Sequence, residues 1–219
     1  MTDHHDDYVP ALAYHRLTPL YDRVVAATTR EQEVKRALIV QATIRPEHVV
    51  LDLGSGTGTL ALWIKQTTPG ASVVGVDADP AMIAIATTKV ERTGVVVPFR
   101  KGVASDLPYP AGQFDRVVSS LFFHHLSPAD KVRAVHEVWR VLKPGGELHV
   151  ADWGPATSPL MRGLFVFVQL LDGFTNTRDH VAGRLGTIFE AGGFEQVAMR
   201  KRFSTPLGTL ALYSAEKPG

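Results

Sequence analysis

Two groups of residues in this sequence have types and spacing suited to chemistry. In VVLDLGSGTGTLALWI (49–64) an apolar run leads into Gly54, Gly56 and Gly58, and then into a helical pattern. Such glycines let the chain turn tightly and let a ligand approach the backbone beside the positive end of a helix. Asp77 stands 19 positions after Gly58, close to the ~20-residue offset at which an acid meets a ribose hydroxyl. The second group is His124 and His125, in SLFFHHLSP. A histidine titrating near neutrality is suited to taking a proton from a hydroxyl or an amine. For His125 the plainer reading is a side chain that orients its loop.

These residues must be held by something, and the surrounding pattern says what. Short apolar runs at 49–53, 72–77, 95–102, 114–120 and 147–153 predict strands, the third peripheral because it contains Pro98. Helices are predicted between them, over about 59–66, 79–92 and from Ser127 toward Pro144. Asp79-Pro80 and Ser127-Pro128-Ala129-Asp130 supply a cap followed by a proline at the first helical position. Upstream, Thr18-Pro19 starts one helix, and a second begins at Glu31 with Val34, Leu38 and Ala42 on one face. A helical segment near 178–191 is followed by two β-rich segments, near 194–203 and 208–215.

Alternating strands and helices with short Gly/Pro joints predict an α/β fold: a doubly wound, mostly parallel, seven-stranded Rossmann-like sheet with an antiparallel edge pair. The strand ends carry the candidate residues, where open α/β sheets place their sites. Residues 1–14 read as a flexible lead and 15–219 as one domain with an N-terminal helical cover. The stretch from about 153 to 180 exceeds what a strand–helix joint needs. Its apolar part, around Leu164 to Leu171, predicts a small helical cap over an acceptor pocket lined by Phe122, Phe123, Trp153 and Phe174. A dimer face or a lipid contact is the competing reading of that stretch.

Composition removes whole classes of function. The 219 residues contain no cysteine, which excludes disulfide scaffolds, thiolate metal sites and cysteine nucleophiles. The formal charge of +1 argues against a dedicated nucleic-acid binder. No signal peptide or membrane-spanning stretch is visible, so a cytoplasmic protein is expected. The acidic–histidine run Asp3 to Asp7 is read as a solvated terminus, and no metal site is assigned.

Taken in order, VLDLGSGTG (50–58), Asp77, the SDLP of GVASDLPYP and VLKPGG resemble the motifs of class I S-adenosylmethionine-dependent methyltransferases. The similarity is to the small-molecule branch, which contains the ubiquinone/menaquinone C-methyltransferases, and spans roughly residues 15 to 217. It implies S-adenosyl-L-methionine as cofactor. Gly54, Ser55, Gly56 and Gly58 would lie along it, with Asp52 near its amino group. Asp77 would take the ribose hydroxyls, with Ala78 and Met82 beside the adenine. Asp106 would accept from the adenine amino group, flanked by Ser105 and Leu107. Ser119 or Ser120 would lie near the transferable methyl, and Tyr21 would fold over the cofactor.

Each of these positions also has a plainer reading: Asp52 as a helix-capping acid, Asp77 and Asp106 as turn residues, Tyr21 as core. By the same resemblance His124 pairs with Asp152 as a general-base dyad. The absence of an NPPY-type tetrapeptide after the fourth strand speaks against a nucleic-acid acceptor. A small, apolar or aromatic acceptor and a monomer or homodimer are expected. A nicotinamide-dependent oxidoreductase is disfavoured because its third glycine would fall at Thr59. A non-catalytic cofactor-binding protein is the remaining alternative.

Overall fold

The structure, a computed structural model, describes residues 29–219. Tyr21, the helix expected from Thr18 and the Asp3–Asp7 run lie outside the described residues. The first described helix, α1 (Glu31–Ala42), turns Val34, Leu38 and Ala42 inward as its spacing predicts. There follow β1 (Val49–Leu53), α2 (Thr59–Thr67), β2 (Ser72–Asp77), α3 (Pro80–Glu91) and β3 (Phe99–Lys101). Then come β4 (Phe114–Ser120), α4 (Pro128–Val141) and β5 (Leu142–Trp153). The cap region forms α5 (Pro159–Asp172) and α6 (Phe174–Val181), and α7 (Leu185–Ala191), β6 (Glu195–Thr205) and β7 (Gly208–Glu216) complete the chain.

The sheet runs β3-β2-β1-β4-β5-β7-β6. The first five strands in that order pair in parallel, and β7 inserts antiparallel between β5 and β6. This is the doubly wound sheet with an antiparallel edge pair that the pattern predicts. The order reverses at β1 and β4, so their carboxyl ends open onto a common crevice. Alternation along each strand divides the core between the two faces. Leu51 and Leu53 of β1 and Val117 of β4 pack on one side, with Val135 and Phe189. Val50 and Val118 pack on the other, with Leu38 and Leu60. Leu38 is fully buried, so Leu38→Ala is expected to cost about 3 kcal/mol of stability. Urea denaturation would measure it.

Three boundaries differ from the pattern. Residues 95–98 do not join the ladder: Pro98 has no N–H to give, and only its carbonyl reaches Gly75 N, at 2.9 Å. β5 starts before Pro144-Gly145-Gly146 rather than after it. Gly145 N donates to Lys217 O and Lys217 N to Gly146 O, both at 2.9 Å, so the chain's end converts the helix stop into strand. The helix expected over 178–191 is two, α6 and α7, broken at Gly183 with φ 67°.

In the cap, Phe165 and Val168 of α5 are buried, while Leu160, Phe167, Leu170 and Leu171 are exposed. Phe174, expected to line the acceptor pocket, is 54% exposed. It opens α6 directly after Gly173, which turns the chain with φ 88°. No helix among the described residues is long and apolar enough to cross a membrane.

Candidate active site

The glycine loop is held from below by β2. Ser55 N donates to Val76 O at 2.9 Å, and Gly58 N closes the turn on Ser55 O at 2.8 Å. Asp77, the last residue of β2, accepts from Gly56 N at 2.8 Å with one carboxylate oxygen and from Asp79 N at 2.9 Å with the other. Burial pushes its pKa up, against these backbone hydrogen bonds. The expected ribose acid is therefore also the strut of the loop.

Gly54 has φ 67°, and a Cβ there would stand 2.2 Å from the Phe122 ring. A side chain at this position is excluded twice, by backbone and by space. A Cβ at Gly56 would meet nothing within 4 Å, so the open side of the loop lies here, above the amino end of α2. That amino end, backbone N–H groups at the head of a helix and a strand-end carboxylate suit the amino-acid and ribose parts of S-adenosylmethionine.

Two of the expected cofactor residues make structural hydrogen bonds. Asp52, 1% exposed, turns inward and accepts from Ala61 N at 3.1 Å, in the first turn of α2. The capping alternative is what the geometry shows: Gly58 at the helix start has no side chain to do it. Ser119 is fully buried and donates to Leu53 O at 2.8 Å, which stitches β4 to β1 and leaves Ser120 as the part-exposed member of the pair. Leu107 is core, its N–H given to Glu137 Oε2 at 2.7 Å. Ala78, Met82 and Ser105 are partly exposed, and Asp106 is exposed.

Burial raises the Asp52 pKa to about 7, opposed by Lys35 and the Ala61 N–H. The folded state thus holds a proton that the unfolded chain, with its ordinary value of 3.8, has lost. Stability falls as pH rises across that interval. Asp52→Asn keeps the acceptor for Ala61 and removes the charge. It is expected to flatten this decline, with a gain on the order of 2 kcal/mol at pH 8, measured by urea denaturation at pH 5 and pH 8.

The second group sits across the crevice. At the end of β4, Leu121 takes φ 56°, a strained conformation for a residue with a branched side chain. Its N–H still donates to Ala151 O at 2.8 Å, and the next residues are swung over the sheet edge. Asp152 of β5, fully buried, holds them there. One carboxylate oxygen accepts from Phe122 N at 3.2 Å and His124 N at 3.3 Å. The other meets His124 Nδ1 at 2.7 Å and Trp153 N at 2.7 Å. The expected His124–Asp152 dyad is thus in contact.

The charges follow from this packing. Burial opposes an ionised Asp152, but His124, His180 and the N–H donors hold its pKa below the usual carboxylate range. Burial likewise opposes a charged His124, and Asp152 outweighs it, so the His124 pKa is raised. Burial and the neighbouring His124 push His125 down to about 3. His125 is neutral at any physiological pH, which removes the cation but not the lone pair.

Lys131 of α4 is fully buried, bonds Asn176 O and lies 3.5 Å from Asp179 Oδ2. Asn176 Nδ2 in turn donates to His125 O at 3.1 Å. The cap is tied to the histidine loop through this chain. Asp172, the last residue of α5, comes within 3.6 Å of His124 Nε2 and 3.7 Å of His125 Nδ1. Sequence reasoning missed Asp172. Its one local signal is being the lone acid ending an apolar helix, and nothing in the spacing ties it to a histidine pair before the cap folds.

A glycine loop braced by a strand-end acid, on a sheet of this order, defines a Rossmann-like domain of the class I methyltransferase type. The comparisons agree. Residues 50–146 match the family model described as a methyltransferase domain. A demethylmenaquinone methyltransferase of Thermus thermophilus is 39% identical over 145 residues, covering 65% of this chain and 64% of that protein. A methyltransferase of Synechocystis, described only as such, is 32% identical over 169 residues, 76% of each chain.

A solved SAM-dependent methyltransferase structure from Methanosarcina mazei has a TM-score of 0.68 at 23% identity, covering 82% of this chain and 97% of that one. The chain belongs to the class I S-adenosylmethionine-dependent methyltransferases. It spans 64% and 62% of the lengths of the Thermus and Deinococcus demethylmenaquinone methyltransferases it matches.

Proposed function

We propose that this protein methylates a small, apolar, aromatic acceptor of the hydroquinone class, using S-adenosylmethionine. The observation that carries the reading is the placement of His124. It stands at the same crevice as the glycine loop, oriented through Nδ1 by Asp152 at 2.7 Å, with Phe122 lying between the two against Gly54. The acceptor class follows the relatives named for demethylmenaquinone and suits a crevice with a Phe122 wall.

In this reading Gly54, Ser55, Gly56 and Gly58 take the amino-acid part of the cofactor along the loop. Asp77 takes the ribose hydroxyls with the lone pairs that Gly56 and Asp79 leave free. Ala78 and Met82 flank the adenine, with Asp106 and Ser105 at its amino edge. Ser120 lies nearest the reacting centre. S-adenosylmethionine, when bound, supplies a methyl group on a sulfonium, ready for in-line displacement.

His124 accepts the acceptor's hydroxyl proton on Nε2, and Asp152 stabilises the imidazolium that results. Loss of that proton places negative charge on the aromatic system, which makes its oxygen and ring carbons better nucleophiles. The loop and the cap align the two reactants, a contribution that comes from orientation.

Calorimetric titration with S-adenosylhomocysteine and separately with NADH is the first test; binding of NADH alone would overturn the reading. Incubation with S-adenosylmethionine and a reduced 1,4-naphthoquinone bearing a short prenyl chain is the second. A methylated product seen by mass spectrometry is expected, and cofactor binding without turnover on any reduced quinone would sink the acceptor assignment.

A further inference from the structure

We propose that His124 Nε2, His125 Nδ1 and the Asp172 carboxylate form a binding site for one divalent first-row transition-metal ion, backed by Asp152. The three side chains each offer one donor atom, and these atoms all lie within 4.8 Å of one another. The carboxylate of Asp172 reaches both imidazoles, at 3.6 Å and 3.7 Å, with a separate oxygen for each. These separations are too long for hydrogen bonds. Around a tetrahedral ion with bonds of about 2.1 Å, donor atoms stand about 3.4 Å apart. The two carboxylate–imidazole separations are already near that spacing, and side-chain rotation has at most about 1.4 Å to close for the donor set as a whole.

The surroundings are those of a metal-bound histidine. His124 has its other ring nitrogen on Asp152 at 2.7 Å, the carboxylate–histidine pairing that orients metal ligands and raises their basicity. That contact leaves Nε2 facing Asp172. Behind the dyad, His180 is fully buried, and among the described residues neither of its ring nitrogens has a hydrogen-bond partner. Its Nε2 lies 3.6 Å from Asp152 Oδ1, and its ring centroid 6.1 Å from that of His124. Two carboxylates and three imidazoles thus share a pocket beside the Lys131 ammonium, which is itself engaged by Asn176 and Asp179. A dication balances the two carboxylates. The His125 and Asp172 side chains keep 29% and 22% of their surface exposed, which leaves an entry path and an open coordination position. Two imidazoles and one carboxylate favour zinc, cobalt, nickel or ferrous iron over magnesium or calcium.

The ion would take the lone pair that the methyl-transfer reading assigns to the acceptor's proton. Ion binding and base catalysis at His124 therefore exclude each other, and zinc is expected to inhibit turnover. This consequence rests on that reading; the ion site itself does not.

The test uses the 219-residue chain carrying His4→Ala and His5→Ala, which removes that histidine pair as a competing ligand. Titration of the metal-stripped protein with cobalt(II) is expected to give one ion per chain, with visible absorption bands that zinc(II) abolishes. Asp172→Asn and His125→Gln are each expected to weaken cobalt binding at least about tenfold, and Asp152→Asn by about ten- to a hundredfold through His124 alone. Circular dichroism checks that each variant is folded. Absence of saturable cobalt binding up to about 1 mM overturns the site. So does binding that the Asp172 and His125 substitutions leave unchanged. Cobalt binding without any affinity for S-adenosylhomocysteine supports the metal site while overturning the methyl-transfer reading.

Discussion

Asp77→Ala is expected to weaken S-adenosylhomocysteine binding by more than a hundredfold in calorimetric titration, while the chain still folds. The carboxylate serves two structures at once. It accepts from Gly56 N and Asp79 N, and in the proposed complex it also accepts from two ribose hydroxyls. Hydrogen bonds to a charged group contribute about 1.5–3 kcal/mol each, so losing the ribose contacts alone accounts for a hundredfold. Releasing the Gly56 N–H loosens the loop and adds to the loss. Asp77→Asn separates the two contributions: its side-chain oxygen still accepts from one amide, but the charge and one acceptor are gone. An intermediate affinity is expected. If Asp77→Ala bound S-adenosylhomocysteine as tightly as the parent, Asp77 would be a turn residue and no more.

His124→Ala is expected to lower turnover by a factor of 10² to 10⁴, the usual worth of a positioned base, with little change in cofactor affinity. The pH profile gives a sharper reading than the loss itself. Asp152 raises the His124 pKa above its ordinary 6.5, and the base works only when neutral. Turnover should therefore climb with pH, with its midpoint above 6.5, and the His124→Ala variant should lose that limb of the profile.

The same pair affects stability with the opposite sign. A raised folded-state pKa contributes stability that is fully present below pH 6.5 and is lost as pH rises through the folded value. Activity should thus increase over the interval in which this contribution to stability fades. Equal turnover in the parent and the His124→Ala variant across the pH range would remove His124 from the chemistry and leave it as the clasp of the loop.

Much of the fold is legible from local pattern, because parallel strands buried on both faces read as short apolar runs and capped helices announce their starts. The strand at Val49–Leu53, the turn at Gly54–Gly58 and the acid ending the next strand are set by neighbours a few residues away. Of the boundaries that differ from the pattern, the shortened β3 and the break between α6 and α7 have local causes in Pro98 and Gly183, whereas the start of β5 depends on a distant partner. β5 reaches back to Leu142 because Lys217 pairs with Gly145 and Gly146, some seventy residues on. That Asp52 caps α2 is visible only in the folded loop, where Gly58 offers Ala61 N no side-chain acceptor.

By itself, then, the sequence determined the sheet, the loop and the pairing of a glycine turn with Asp77, since each rests on periodicity or short-range sterics. The resemblance paired His124 with Asp152, and tertiary structure alone decided what else the histidines face. Bringing Asp152 under His124, Asp172 across from both histidines and His180 behind them requires β4, β5 and the cap helices to pack together. Pairwise contacts at such separations leave no trace in local spacing, because the free energy that fixes them comes from burying the whole cap against the sheet.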